Sequence, residues 1–153
     1  EILLYELLGL SRLFPRSRIL NRWRIPEFDF SSIQEVEQPM AAALMIRRKC
    51  VCERVFDERF MMFFNDVDLC RRVLDEGGKI VFYPDARIVH SRGASTRKVK
   101  ERMIPLHAKG FIYYFSKTRS SMIDRIVLAL FLPAMILNAA VRIFLIRIFG
   151  LEF

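Results

Sequence analysis

The sequence predicts an α/β domain followed by apolar helices, and three observations carry that expectation. Apolar runs of strand length, Met40 to Ile46, Lys79 to Tyr83 and Ala86 to His90, surround an amphipathic run centred on Val67 to Leu74. A longer helical pattern occupies Glu101 to Thr118. From Ile126 to Phe149 the chain is almost wholly apolar. The organisation read from this pattern is a domain over 1–118 and a membrane-associating helical tail over 119–153.

Taken in order, Glu1 to Leu13 carries Leu and Ile at helical spacing and reads as a short amphipathic helix that Pro15 stops. Arg16, Arg18, Arg22 and Arg24 form a basic loop, and Glu27 to Gln38 reads as a polar surface loop. Met40 to Ile46 is expected to be a buried strand ending at Arg47-Arg48-Lys49, with a short helix or turn over Cys50 to Arg54. Asn65 or Asp66 should cap the next helix, because a side-chain oxygen there accepts a free backbone N–H. Gly77-Gly78 should end it, since glycine takes the left-handed conformation a helix stop needs. Lys79 to Tyr83 then reads as a strand, Pro84-Asp85 as a turn and Ala86 to His90 as a second short strand. Ser91 to Lys100 is a basic Gly/Ser/Thr loop, and Phe111, Tyr114 and Phe115 fall on or near one face of the helix that follows.

The tail admits three readings. At about 1.5 Å per residue, a continuous helix over 126–149 reaches roughly 36 Å, enough for a bilayer core of about 30 Å. Pro133, Asn138, Arg142 and Arg147 interrupt the apolar run, and Arg inside a span costs about 2.5–3.5 kcal/mol. The favoured reading is a kinked helix, or two short ones, lying in the membrane interface with Lys117, Arg119 and Arg125 touching anionic lipid. A true span and a hydrophobic partner surface or core helix are the alternatives.

Composition narrows the function classes. With 153 residues, 53% of them hydrophobic, the chain can bury a core and is not disordered. Its net charge of +8 suits anionic headgroups or phosphorylated substrates. Neither an RNA-binding aromatic signature nor zinc-finger spacing occurs, so no nucleic-acid partner is expected. Three cysteines, Cys50, Cys52 and Cys70, make no disulfide framework and fit a reducing cytoplasm. Cys50 and Cys52 lack the second pair a zinc site needs. The chain begins at Glu1 without a signal-peptide pattern and reads as a piece of a longer protein.

The chemistry concentrates in Phe60 to Arg72, where an apolar wall, Met61 to Phe64, runs into the carboxylates of Asp66 and Asp68. A carboxylate there either caps the helix or does chemistry. Asp68, in the first turn, can accept N–H bonds or pair with Arg71 or Arg72. His90 ends an expected strand before a glycine-containing loop, where side chains face a ligand cleft, although a lone His is more often structural. Arg92 and Ser95 either contact phosphate oxygens or lie in a solvated loop. His107, in a helical segment without a partner motif, reads as structural.

Met40 to Arg48, Phe56-Asp57-Glu58-Arg59-Phe60, Asn65 to Arg72, Tyr83 to His90 and Gly93-Ala94-Ser95 occur in that order. Their order and spacing, with Leu7 to Arg18 before them, resemble the C-terminal half of family 2 glycosyltransferases, in the rhamnosyltransferase-like branch. The resemblance covers roughly Glu1 to Phe115. It implies the acceptor-side half of a GT-A, Rossmann-like domain whose other half binds a nucleotide-sugar. It implies a divalent metal (Mg²⁺ or Mn²⁺) and inverting transfer, with dTDP-rhamnose the donor the branch suggests and a lipid-linked or saccharide hydroxyl the acceptor. The setting it implies is cell-surface polysaccharide assembly at the cytoplasmic face of the membrane, the protein being peripheral or monotopic. Asp66 matches the family's general base, Asn65, Asp68, Arg92 and Ser95 are assigned to substrate contacts, and His90 to the metal. A fragment of this kind would be inactive alone. Asn65 stands where the family has Glu, Ala41 where it has Gly, and Arg54-Val55 where it has a Gly pair. Asn65, Arg54 and Val55 motivate the alternative, a non-catalytic relative that docks other proteins at the membrane.

Overall fold

The computed structural model describes residues 14, 16–17, 28–51, 54–91, 93, 96 and 99–150. The expected helix over Glu1 to Leu13, the arginines Arg18, Arg22 and Arg24, and the loop residues Arg92 and Ser95 lie outside the described residues. The fold is mixed but mostly helical. A two-stranded antiparallel sheet, β1 (Gln34–Glu35) and β2 (Val81–Phe82), accompanies three helices, α1 (Asn65–Asp75), α2 (Lys100–Thr118) and α3 (Met122–Phe149).

Helix α1 forms where its amphipathic pattern lies, burying Asp68, Leu69 and Cys70. Its stop follows the sequence: Gly77, at φ +78°, donates to the Leu74 carbonyl at 2.9 Å, and Gly78 donates to Val73 at 2.8 Å. This bond pair satisfies carbonyls that a helix end otherwise leaves orphaned. Its start differs from expectation. The cap is Phe64, with no side-chain cap bond, and the helix begins one residue earlier than a cap at Asn65 requires. Phe64 sits at φ +70°, ψ −1°, a left-handed backbone that a bulky side chain resists.

Packing holds it there. The Phe64 ring stacks on Tyr114 at 5.8 Å and meets Phe111 at 6.0 Å and His107 at 5.2 Å, all on α2. Phe60, buried, packs on Tyr113 at 4.7 Å. Gly110, also buried, lets α2 approach this wall closely. The Phe111–Phe115 face expected from sequence is therefore present, and α2 spans the interval assigned to it to within a residue. Helix α3 returns antiparallel along α2 after a three-residue connection. Ser121 caps α3 by accepting from the Asp124 N–H at 3.1 Å. At the far end Arg147 pairs with Glu101 at 2.7 Å.

Several strand assignments are corrected. Met40 to Ile46 is not a strand: Ala41–Ala43 form a 3₁₀ turn, and no partner strand flanks the segment among the described residues. Lys79 to Tyr83 keeps two strand residues, and Ala86 to His90 is not a strand. An apolar run with no neighbouring strand among the described residues has no ladder to join. Conversely, the loop expected over Glu27 to Gln38 contains β1, which pairs Gln34 with Phe82 and Glu35 with Val81. Phe28, Phe30 and Phe82 cluster beside it with ring centroids 4.8–5.9 Å apart. The Pro84-Asp85 turn stands as expected, closed by Ala86 N–H to the Tyr83 carbonyl at 3.3 Å.

A Cβ on Gly110 would lie 3.0 Å from the Phe64 ring and 3.1 Å from the Phe63 carbonyl oxygen. Gly110→Val should lower unfolding free energy in urea by about 1–3 kcal/mol through overpacking, while Lys109→Ala, one exposed residue away, should change it by less than about 0.5 kcal/mol.

Candidate functional site

Asp66 and Asp68 are two residues apart on one helix, so they point about 200° apart. Asp66 faces the 3₁₀ turn. Its Oδ1 accepts from the Val67 N–H at 2.9 Å, and its Oδ2 is reached by the Ala41 N–H at 3.4 Å. Asn65 Oδ1 accepts from the Asp66 N–H at 2.9 Å. Both side chains thus serve orphan donors of the first turn from inside the helix and not from the cap position. Asp66 is half-buried, and its charge lies at the helix N-terminus, where the backbone dipoles favour it. Four residues on, the Cys70 thiol has its pKa pushed up by burial and, secondarily, by the Asp66 charge. A neutral buried thiol of this kind is a poor nucleophile.

Asp68 faces the opposite way and is 2% exposed. It pairs with Arg72 at 3.1 Å, one of the two partners expected, and with Lys117 of α2 at 2.6 Å. Lys117 also reaches Asp57 at 3.0 Å. Asp57 in turn accepts from Arg59 Nε and Nη2 at 2.9 and 2.8 Å and from the Tyr113 hydroxyl at 2.9 Å. Arg72 donates onward to the carbonyls of Arg54 at 3.2 Å and Val55 at 2.6 Å, fastening the loop where the sequence departs from its resemblance. The Arg59 fork is the main reason the Asp57 carboxyl lies far below its ordinary value; burial opposes this, and Lys117 and Tyr113 add to the lowering. Burial alone would lower the pKa of Lys117, but its bonds to Asp68 and Asp57 outweigh that and the net shift is upward.

This network borders an open cleft of about 490 Å³ lined by Arg54, Phe56, Asp57, Glu58, Arg59, Arg72 and Lys117. Asp66 is not among its lining residues. The structure therefore separates the two carboxylates: Asp66 is a held, half-buried acceptor, and Asp68 belongs to the ionic lock. Lys117, expected at lipid, is instead committed to Asp57 and Asp68. His90 is exposed in the irregular stretch after the turn, and no group of three or more His, Cys, Asp or Glu side chains able to hold a metal occurs among the described residues. Sequence reasoning passed over Asp57, Arg59 and Tyr113. The Asp57-x-Arg59 spacing was visible, but the partners of Asp57 on α2 lie 56 and 60 residues away. His107 packs edge-on against Phe63 at 5.0 Å; this burial, and then the Arg142 charge, hold its pKa below the ordinary value although part of the ring stays at the surface.

Removing Lys117 leaves Asp68 with Arg72 alone. Lys117→Met should cost about 2–3 kcal/mol in chemical denaturation, less than the roughly 3–5 kcal/mol of a fully buried pair because one partner remains. Because the Asp57 pKa is depressed in the folded state, its contribution is complete above the unfolded value near 3.8 and fades as pH falls from there toward the lower folded value. Thermal unfolding scans from pH 5 down to pH 2 should show an acid loss of stability that is shallower in Asp57→Asn. Set against known proteins, the chain matches no family model, no curated protein and no solved structure.

Proposed function

We propose that this chain is the acceptor-side half of a membrane-associated inverting glycosyltransferase of the GT-A type, with Asp66 as its general base. The observation that carries the reading is the Asp66 carboxylate. It sits at a helix N-terminus, half-buried, with one oxygen on the Val67 N–H and the other 3.4 Å from the Ala41 N–H. That long second contact leaves an acceptor oxygen with lone-pair capacity for a hydroxyl. In the proposed step, the acceptor hydroxyl oxygen attacks the anomeric carbon of a nucleotide-sugar. Its new C–O bond forms as the bond to the nucleoside diphosphate breaks, and Asp66 takes the hydroxyl proton. Asp68, locked by Arg72 and Lys117, holds the helix that carries Asp66.

Two further features support a partial domain. β1 and β2 form a two-stranded ribbon, too small to be independently stable, with no third strand among the described residues. Apolar side chains such as Met45 (98% exposed) and Val89 (101%) lie bare. In this reading the donor-binding half supplies further strands and cover. Among the described residues no group of three or more His, Cys, Asp or Glu gathers at His90; the divalent metal, with His90 as a ligand, remains part of this proposal, and no step above is routed through it. Donor, acceptor and the dTDP-rhamnose suggestion belong to this proposal, as does placement at the cytoplasmic face.

The test is sugar transfer from dTDP-rhamnose and other nucleotide-sugars, using the chain together with its natural upstream sequence. Asp66→Asn should lower the rate by about 10²–10⁴-fold while leaving the unfolding midpoint close to the parent's. An unchanged rate would remove Asp66 as base, and absence of transfer in the parent would favour the non-catalytic docking module that Asn65, Ala41, Arg54 and Val55 suggest.

A further inference from the structure

The 28-residue α3 is long and apolar enough to cross a membrane. How its residues are distributed around the helix bears on whether it does. Ile126, Leu130, Leu137, Val141, Phe144 and Ile148 recur at spacings of three, four and seven residues, so they share one face. All six are between 46% and 73% exposed. Two of the polar residues that interrupt the apolar run, Asn138 and Arg142, fall on the other side, as does Asp124. Asp124, Asn138 and Arg142 are each half-buried, in line with the buried Met135. That is the side packed on α2. Arg119 and Arg125 are exposed at one end of the hairpin, and Arg147 is exposed at the other.

Helix α2 runs alongside α3 from the Glu101–Arg147 pair to the connection at Arg119. It is about 28 Å long, close to the thickness of a hydrocarbon core. It carries Lys100, Glu101, Arg102, Lys109 and Lys117, and Lys117 is tied to Asp57 and Asp68. If α3 crossed the bilayer with this packing intact, those charges would enter the hydrocarbon. At about 2.5–3.5 kcal/mol for a charge at a helix centre, Lys109 would carry that cost, and the Asp57–Lys117–Asp68 lock held against α2 would have to leave water with it.

We propose that α3 lies in the plane of an anionic bilayer surface, with the Ile126–Ile148 face in the acyl boundary and α2 held above it on the aqueous side. The exposed Arg119 and Arg125 at the connection complement acidic headgroups, Arg147 at the other end being paired with Glu101, and the chain's net charge of +8 has the same sense. This deepens the membrane part of the reading above and rests on it, though not on the glycosyl-transfer chemistry.

Flotation of the full chain with phosphatidylcholine–phosphatidylglycerol vesicles tests the association itself. Geometry is read by single tryptophans, Ile126→Trp, Leu137→Trp and Ile148→Trp, each in a Trp23→Phe background, quenched by lipids brominated at different depths. An in-plane helix gives one shallow depth for all three. A deep signal at position 137 with shallow ones at 126 and 148 would overturn the in-plane geometry and leave membrane association standing. Failure to float would overturn both. Floating without quenching at any of the three would place the contact elsewhere and overturn the proposal. Ile126→Glu with Leu137→Glu should weaken vesicle partition by at least roughly tenfold, as the loss of two buried aliphatic side chains requires, with the helical circular dichroism retained. If the parent instead runs as a dimer that this double variant dissociates, without any effect on flotation, the face belongs to a second copy of the chain and the proposal fails.

Discussion

The Lys117 ammonium is the interaction on which the rest of the domain depends. It stands between Asp57 and Asp68, and the second of these is 2% exposed. A carboxylate so far from water is tolerable only when its charge is matched and its lone pairs are filled. Lys117 does this from the last turn of α2, so its bonds fix where α2 ends against α1. The same ammonium lies 5.6 Å from the centre of the Phe60 ring, which itself packs on Tyr113. Charge pairing and aromatic packing therefore select one register of α2. A slide by one turn would forfeit both together.

From that register the site follows. Asp68 is engaged from both sides, by Arg72 within its helix and by Lys117 across to the next. Its neighbour two residues earlier is thereby directed to the opposite surface, toward Ala41. Two carboxylates that look equivalent on paper divide into a buried anchor and a half-buried acceptor because helical geometry sends them apart. Helix α2 is the common wall: one side receives Phe60, Phe63 and Phe64, and it packs on α3 as well. Whatever positions α3 thus acts on a rigid element that also positions the first turn of α1.

What could be read from the sequence divides along the range of the interactions involved. α1, its glycine stop and α2 are set by periodicity and by pairs three to five residues apart, and they stand where the pattern put them; the apolar tail is helical as well, but as one run from Met122 through Pro133 to Phe149 and not as two short helices. The pairing of Arg72 with Asp68 is of the same local kind. β1 was hidden because two residues, Gln34 and Glu35, carry no alternation, and their strand identity comes from residues 81 and 82. The Met40 to Ile46 run failed for the reverse reason: strand-like composition has no effect without a neighbour to pair with. At the site, Asp66 and Asp68 were legible as carboxylates beside an apolar wall. The ionic lock was not, since nothing near Asp57 in the chain announces a lysine sixty residues later. Lys117 looked like one of several cations before a greasy tail, and only the fold tells it from Arg119.

Phe64 has one more implication, for the order of events in folding. Its left-handed backbone is unfavourable for an aromatic residue by an amount of order 1–3 kcal/mol. The groups that hold it, His107, Phe111 and Tyr114, belong to a helix more than forty residues further along. The entry to α1 is consequently not a local structure. A nascent α1 can form its turns from Val67 to Leu74 early, with its first residues frayed, but the geometry that aims Asp66 has to wait for α2 to close a long loop and dock. The part of the helix that carries the candidate chemistry is the last part of it to be defined.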